Sequence, residues 1–141
     1  MATSLRHLFN AALKKSGVCR IRAEGSSMSP TINDGDLLEL VAATPELLFP
    51  GQIILCEVNG KLITHRIVYE TPIGYLTAGD SNIALDSPVL PKQIVGVVTS
   101  IVNKDGIKTA LSASRNIFSK DSRKDKKRVR EISIYLPDRY Y

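Results

Sequence analysis

The sequence predicts a mainly β fold, an antiparallel sheet that is curled or sandwiched, with an N-terminal amphipathic helix and a basic C-terminal tail. Three observations carry this prediction. Short apolar or alternating runs follow one another between residues 18 and 102, with no helical pattern between them. An Asn-Gly pair separates two of these runs, as in a hairpin, and a stretch with helical spacing precedes them all.

The predicted helix covers residues 3–16. Its apolar positions form one stripe: Leu5, Leu8, Phe9, Ala12 and Leu13. Thr3 or Ser4 can cap its start, and Gly17 can end it. We expect this helix to pack on the core of the body; contact with a membrane surface or a partner is the alternative.

The strands follow from residue 18 onward. They are predicted at residues 18–23, 37–41, 53–58, 62–69, 75–77 and 94–102. Asn59 and Gly60 separate the third strand from the fourth. Because both residues tolerate a positive φ, they predict a type I′ hairpin turn. Asp105 and Gly106 predict a further turn after the last of these strands.

Size and composition indicate a single globular domain of 141 residues, of which 43% are hydrophobic and 23% charged. We divide it into an N-terminal helix at residues 1–17, a body at 18–111 and a tail at 112–141. Cys19 and Cys56 lack metal-ligand spacing, and we expect two free thiols rather than one bridge. No metal and no cofactor are expected.

The basic residues concentrate in the tail. Residues 1–102 carry 8 Lys and Arg against 9 Asp and Glu, whereas residues 103–141 carry 11 against 5. The body therefore gives no electrostatic reason to expect nucleic acid. The charged run at 123–128 predicts a solvated linker, with anionic lipid, nucleic acid or an acidic partner as alternatives. Residues 132–136 alternate as an edge strand would.

Location is predicted from the apolar runs. None approaches the ~18–20 residues that cross a bilayer, and no secretory leader is recognisable at the N-terminus. We therefore expect the protein to be cytoplasmic, with the helix or the tail as a peripheral contact with the membrane.

The connection at residues 25–36 is rich in Gly, Ser and Pro and contains the first candidate site residue, Ser27. A serine at a strand end beside small residues is open to a substrate. The backbone N–H groups around it, at Ser26, Ser27 and Met28, can converge on a developing oxyanion. Turns rich in Ser and Gly are common, so this stretch alone is weak evidence for a catalytic serine.

Two further stretches carry titratable side chains. His65 lies inside an apolar strand, and an imidazole with a pKa of ~6.5 is suited to accept a serine proton near neutral pH. Asp80 and Asp86 follow the next strand, where either could orient the imidazole. Taken singly, a strand histidine is more often a buried structural residue, and turn carboxylates more often cap backbone N–H groups.

In combination, the three stretches resemble the signal peptidase I family, which shares its fold with self-cleaving repressors of the LexA type. The family block Ser-Met-x-Pro-Thr, followed by Gly-Asp, matches residues 27–31 and 35–36. His-Arg at 65–66 is similar to the archaeal and endoplasmic-reticulum branch, because the bacterial and LexA-type branches carry a lysine base there. Gly-Asp-x-Asn and a further aspartate match 79–82 and Asp86. The resemblance covers residues 18–102, and residues 94–98 resemble the family's final strand.

The resemblance implies roles for these residues. Ser27 would attack the scissile carbonyl, and His65 would accept its proton. Asp86 would hold the imidazole while Asp80 shapes the loop, although the sequence leaves open which aspartate does which. Gly25 stands where some family members have a hydroxyl that binds the oxyanion.

An oxyanion hole would therefore depend here on backbone N–H groups, with the Ser27 amide as the first candidate. The hydroxyl of Ser26 is adjacent, but its direction cannot be read from the sequence.

The expected function is that of a serine endopeptidase that removes a leader or signal segment from a peptide or preprotein. The family's usual transmembrane anchor is absent from this sequence, so the resemblance supports the chemistry better than it supports secretory processing. One alternative is a self-cleaving LexA-type regulator, although only 26 residues precede Ser27 and the one Ala-Gly pair, at 78–79, lies inside the body. The other is a non-catalytic adaptor with a basic tail.

Overall fold

A computed structural model describes residues 5–111, with Leu5 described by its backbone alone. The helix α1 spans Leu5–Ser16, and the strands are β1 Cys19–Arg22, β2 Leu37–Ala42, β3 Ile53–Val58, β4 Lys61–Glu70, β5 Tyr75–Ala78, β6 Ile94–Val102 and β7 Lys108–Ala110. Two short 3₁₀ turns, Pro45–Leu47 and Pro91–Gln93, precede β3 and β6.

The seven strands form one antiparallel open sheet in the order β1-β2-β6-β3-β4-β5, with β7 paired to the end of β6. This confirms the predicted mainly β, antiparallel fold. β3 and β4 are joined at Asn59 and Gly60, whose φ angles of 52° and 77° are those that the hairpin turn requires. β7 was not predicted, because its three residues are all exposed and show no alternation.

The sheet has an apolar cluster on each face. Ile53 and Leu55 of β3 belong to one cluster, and Ile54 and Cys56 belong to the other, as the period of two in a strand requires. The first cluster also contains residues from the connection between β1 and β2: Ala23, Met28 and Ile32. This connection carries Ser27, so burial of its neighbours fixes the main chain around that residue.

The helix α1 packs on the first cluster, as expected, but with a narrower face than its apolar stripe predicts. Leu13 is buried and Phe9 is half-buried against the cluster, whereas Leu8 is 55% exposed. The Arg6 N–H donates to the Glu57 carboxylate of β3 at 2.8 Å, so a distant strand residue helps to satisfy the helix start. Gly17, with a φ of 77°, ends the helix.

Both cysteines are free thiols, with Cys56 buried and Cys19 half-buried. The predicted tail at 112–141, its charged run and its candidate edge strand lie outside the described residues, as do the candidate helix caps Thr3 and Ser4. The division at residues 17 and 111 stays a prediction.

Candidate active site

Ser27 lies in the connection that leaves the edge strand β1. Two hydrogen bonds join the ends of this connection: the Ala23 N–H donates to the Asp36 carbonyl, and the Gly35 N–H donates to the Ala23 carbonyl, each at 2.8 Å. The Met28 side chain, 4% exposed, anchors the turn in the core. A buried residue directly after a half-exposed serine holds the Ser27 hydroxyl at the surface of the sheet.

His65 is a buried residue of β4, paired across the sheet with Ile54 of β3. Its two ring nitrogens have different partners. Nε2 lies 3.1 Å from the Ser27 hydroxyl oxygen, and Nδ1 lies 2.5 Å from Oδ2 of Asp86. A carboxylate only accepts hydrogen bonds, so the proton of the neutral ring is assigned to Nδ1, which leaves the Nε2 lone pair facing the serine hydroxyl.

Asp86 lies in the irregular segment that follows β5, and two hydrogen bonds to one residue hold it there. Its N–H donates to the Thr77 carbonyl at 2.8 Å, and the Thr77 hydroxyl donates to Asp86 Oδ2 at 2.8 Å. The structure thus brings Ser27, His65 and Asp86 into one continuous chain of hydrogen bonds.

Asp80 occupies a different environment from Asp86. Arg66 donates to both of its carboxylate oxygens, at 2.9 and 2.8 Å, and the Thr31 hydroxyl donates to Oδ2 at 2.5 Å. Its own N–H donates to the Met28 sulfur at 3.3 Å. Asp80 therefore ties its loop to β4 through Arg66 and to the turn after Ser27 through Thr31 and Met28. Arg66 also donates to the Gly51 carbonyl at 2.7 Å.

The loop that carries Asp80 also touches the backbone of Ser27. The Ser81 N–H donates to the Ser27 carbonyl at 3.0 Å, and the Ser81 hydroxyl donates to the Ser26 carbonyl at 2.9 Å. Gly79 approaches so closely that a Cβ atom there would lie 2.5 Å from the Ser27 carbonyl oxygen. Only glycine fits at this point of contact.

Among residues 5–111, the N–H groups of the three candidate oxyanion donors, Ser26, Ser27 and Met28, form no hydrogen bond, and neither does the Ser26 hydroxyl. The Gly25 N–H is occupied by the Asp34 carboxylate at 2.8 Å. Among the described residues, backbone N–H groups without a hydrogen-bond partner therefore flank the nucleophile.

A groove of about 420 Å³ opens beside Ser27. One wall is the end of β1 and the start of its connection, and the other is the β3–β4 hairpin. Half of its twelve lining residues are apolar: Ile21, Ala23, Met28, Ile32, Leu55 and Leu62. Arg22, Glu24 and Lys61 add charge. Among the described residues β1 is an edge strand of the sheet, and its one neighbouring strand there is β2.

One buried thiol lies close to the carboxylate of Asp86. Burial, and to a smaller extent the negative charge of Asp86, raises the pKa of Cys56 to about 12. The thiol is therefore neutral at physiological pH.

No cluster of three or more metal-ligating side chains occurs among residues 5–111.

Comparison with family models identifies the class of protein that this fold and site represent. The chain belongs to the Peptidase S24-like family, whose model matches residues 4–99. This match supports a serine peptidase or a LexA-like protein and does not select the signal peptidase branch. No curated protein matches the chain. Within the described residues, no helix has the length and apolar content needed to cross a bilayer.

Several residues of the site have contacts that the sequence does not predict. Arg66 belongs to the His-Arg pair that the resemblance identifies, but neither its pairing with Asp80 nor the contribution of Thr31 follows from the sequence. Thr77 is predicted only as a strand residue. A β-branched residue in a strand has an ordinary reason to be there, so no signal in one sequence separates Thr77 from its neighbours.

Proposed function

We propose that this chain is a serine endopeptidase in which Ser27 is the nucleophile, His65 the general base and Asp86 the residue that orients the imidazole. The observation that carries the proposal is the unbroken sequence of contacts from Ser27 Oγ through both ring nitrogens to the Asp86 carboxylate. Nucleophile, base and orienting group within hydrogen-bond reach of one another are the arrangement that acyl transfer to serine needs.

The steps follow from the assigned proton positions. As Ser27 Oγ bonds to the carbonyl carbon of the substrate, its proton moves to His65 Nε2, and the carbonyl oxygen becomes an oxyanion beside the Ser27 and Met28 N–H groups. When the C–N bond breaks, Nε2 returns the proton to the leaving amine. Water then attacks the acyl group with the same base, releasing the acid and restoring Ser27.

Each group supplies a recognisable share of the rate. A positioned base contributes typically ~10²–10⁴-fold, and one oxyanion donor contributes roughly 10²–10³-fold. Throughout, Asp86 accepts the hydrogen bond from His65 Nδ1 and stabilises the imidazolium that forms during the attack.

The substrate we propose is an extended segment of a peptide or preprotein, from which a leader or signal segment is removed. The aliphatic groove supports this, because it lies directly beside Ser27 and can take apolar side chains. The edge of β1, which no other strand of residues 5–111 covers, supports it as well, since an extended chain can add to a sheet edge through main-chain hydrogen bonds.

The experiment is digestion of a diverse peptide library, followed by sequencing of the new termini. The wild-type protein should produce a defined set of cuts that is lost in Ser27→Ala and in His65→Ala. His7→Ala and Ser16→Ala are matched controls, because both residues lie on α1 and neither lines the groove beside Ser27. Near-full activity of His65→Ala would show that the assigned base is wrong, and the same cuts by Ser27→Ala would show that the nucleophile is wrong.

A self-cleaving regulator is the second candidate, favoured by the LexA-like side of the family match. Ala78 is fully buried and paired with Arg66 in the sheet, so cleavage at the Ala-Gly pair would require β5 to leave it. The intact mass after prolonged incubation separates the two candidates. An unchanged mass excludes self-cleavage under those conditions, whereas fragments that are absent from Ser27→Ala would establish it.

The expected cytoplasmic location and the peripheral membrane contact through the N-terminal helix or the tail stay predictions. Of the two candidate contact segments, the helix α1 lies within the described residues and the tail does not. It presents Lys14 and Lys15 in its last turn and leaves Leu8 exposed, which suits an anionic surface.

A further inference from the structure

The hydroxyl of Thr77 is a buried group that the proposed mechanism leaves without a role. Thr77 lies on β5 and is 2% exposed. Its hydroxyl donates to Asp86 Oδ2 at 2.8 Å, while its carbonyl accepts the Asp86 N–H at 2.8 Å. One residue of the sheet therefore holds Asp86 by its main chain and by its carboxylate.

The carboxylate oxygen that Thr77 reaches is the same one that His65 reaches. Oδ2 accepts a hydrogen bond from His65 Nδ1 at 2.5 Å and another from the Thr77 hydroxyl at 2.8 Å. Hydrogen bonds to a charged acceptor are directional and about twice as strong as neutral ones. Two such donors on one oxygen define both the position and the rotation of the carboxylate plane.

Asp86 needs such a restraint because of where it lies. Residues 79–88 contain no helix or strand, and the Asp86 side chain is 34% exposed. A partly exposed aspartate in an irregular segment has other rotamers that point into water. Thr77, in contrast, pairs with Ile67 inside the sheet, so its hydroxyl has a fixed origin.

We propose that Thr77 is a positioning residue, whose hydroxyl holds Asp86 in the orientation in which Oδ2 accepts the His65 Nδ1 proton. This inference rests on the proposed roles of Ser27, His65 and Asp86. Thr77 touches no substrate atom and exchanges no proton in the reaction. The proton that moves passes between Ser27 Oγ and His65 Nε2, while the Nδ1 proton stays on the ring.

The test compares two substitutions at this position. Thr77→Val removes the hydroxyl and keeps the volume and the branch at Cβ, whereas Thr77→Ser keeps the hydroxyl and removes the methyl group. Thr99→Val is the matched control, because the Thr99 hydroxyl on β6 also donates a hydrogen bond, to the Glu39 carbonyl at 3.3 Å. All are measured on the peptide that the wild-type protein cleaves fastest.

Thr77→Val should lower kcat by roughly 10–100-fold with KM changed less than about 3-fold, because orientation of the base is lost while the groove is untouched. Thr77→Ser should keep kcat within about 5-fold of the wild type. Wild-type kcat in Thr77→Val would overturn the proposal. Equal losses in Thr77→Val and Thr77→Ser would overturn it too, because they would show that packing matters and the hydroxyl does not.

A second readout requires no substrate. The His65 Nδ1 proton, held in a short bond to a carboxylate, should give a low-field proton resonance in the wild type and in Thr77→Ser, and that resonance should shift or broaden in Thr77→Val. An unchanged resonance in Thr77→Val overturns the role of Thr77. If the wild-type protein cleaves no peptide, the proposed function fails, and this resonance still decides whether Thr77 positions Asp86.

Discussion

Asp80 and Asp86 lie six residues apart in one connection, yet their carboxylates have different surroundings. The Asp80 side chain is 4% exposed and receives two hydrogen bonds from one guanidinium. The Asp86 side chain is 34% exposed and bonds to the imidazole of His65. One aspartate is enclosed by groups that hold the chain together, and the other stands at the end of a hydrogen-bond chain that leads to a serine.

This difference shows how the partner determines what a carboxylate can do. The guanidinium of Arg66 only donates hydrogen bonds, and it pairs with both oxygens of Asp80 as a fixed attachment. The imidazole of His65 has one nitrogen that donates and one that can accept, so the pair of His65 and Asp86 can take part in a proton transfer. The same residue type is thus structural at one position and suited to catalysis at the other.

The largest effect is expected from Asp86→Asn. An asparagine amide can donate to Nδ1, which places the ring proton on Nε2 and leaves His65 without a lone pair for Ser27. We expect kcat to fall roughly 10³–10⁴-fold while the midpoint of thermal unfolding changes little. Steady-state cleavage and a thermal melt on the same sample check this.

The same substitution separates the two aspartates. If Asp86→Asn unfolded the protein and spared kcat in the folded fraction, Asp86 would be structural, and the contrast with Asp80 would disappear.

The next effect is expected from Gly79→Ala. Its Cβ would lie 2.5 Å from the Ser27 carbonyl oxygen and 3.1 Å from the Ser27 Cβ, so the turn that carries the nucleophile must move. A displacement near 1 Å costs about 10²-fold in rate. Gly96→Ala is the matched control, because its Cβ would lie 2.9 Å from the Val41 carbonyl on another part of the sheet.

We expect Gly96→Ala to lower the free energy of unfolding and to leave kcat near the wild-type value. Equal kcat for the two alanine variants would contradict a specific role for Gly79 in placing Ser27.

A third and smaller effect on kcat is expected from Asp80→Asn. This substitution mainly lowers the free energy of unfolding. It breaks the paired hydrogen bonds to Arg66 and leaves a guanidinium that is only 23% exposed without its carboxylate. We expect the free energy of unfolding to fall by about 2–4 kcal/mol and kcat to stay within about 10-fold at a temperature where the variant is folded. Denaturant unfolding measures the first quantity.

Glu39→Gln is its control, since Glu39 pairs with the exposed Arg20 and Lys108 and should contribute little. A stability loss no larger than that of Glu39→Gln would remove Asp80 from its structural role.

The elements that depend on local chemistry were the ones that the sequence predicted best. The hairpin at Asn59 and Gly60 follows from two residues that tolerate a positive φ, and β6, which is rich in Val and Ile, has the predicted bounds. β7 forms only because β6 offers it an edge, so its three exposed residues carry no signal of their own. The start of α1 contacts Glu57, fifty-one residues away, and no local pattern contains that contact.

The site shows the same division. Its three stretches were predicted from residue types and their order, but the choice between Asp80 and Asp86 depends on how a ten-residue irregular segment folds back on the sheet. Arg66 binds the Asp80 carboxylate and so keeps it away from His65, whereas the Thr77 hydroxyl donates to Asp86, which contacts His65. Both contacts are tertiary and leave no trace in a single sequence.

The smallest effect concerns Cys56, the buried thiol near Asp86. Its folded pKa of about 12 lies above its ordinary value of 9.0, so stability is fully present below pH 9 and is lost as pH rises from about 9 toward 12. We expect the stability difference between the wild type and Cys56→Ala to shrink by about 1 kcal/mol between pH 8 and pH 10. A difference that is independent of pH would show that the thiol is not desolvated.

The most direct test of the contrast between the two aspartates is the low-field proton resonance of His65 Nδ1, compared in the wild type, Asp86→Asn and Asp80→Asn. We expect the resonance in the wild type, its loss in Asp86→Asn, and its retention in folded Asp80→Asn, because only Asp86 accepts that proton. Retention in Asp86→Asn together with loss in Asp80→Asn would contradict the account and assign the orienting role to the other carboxylate.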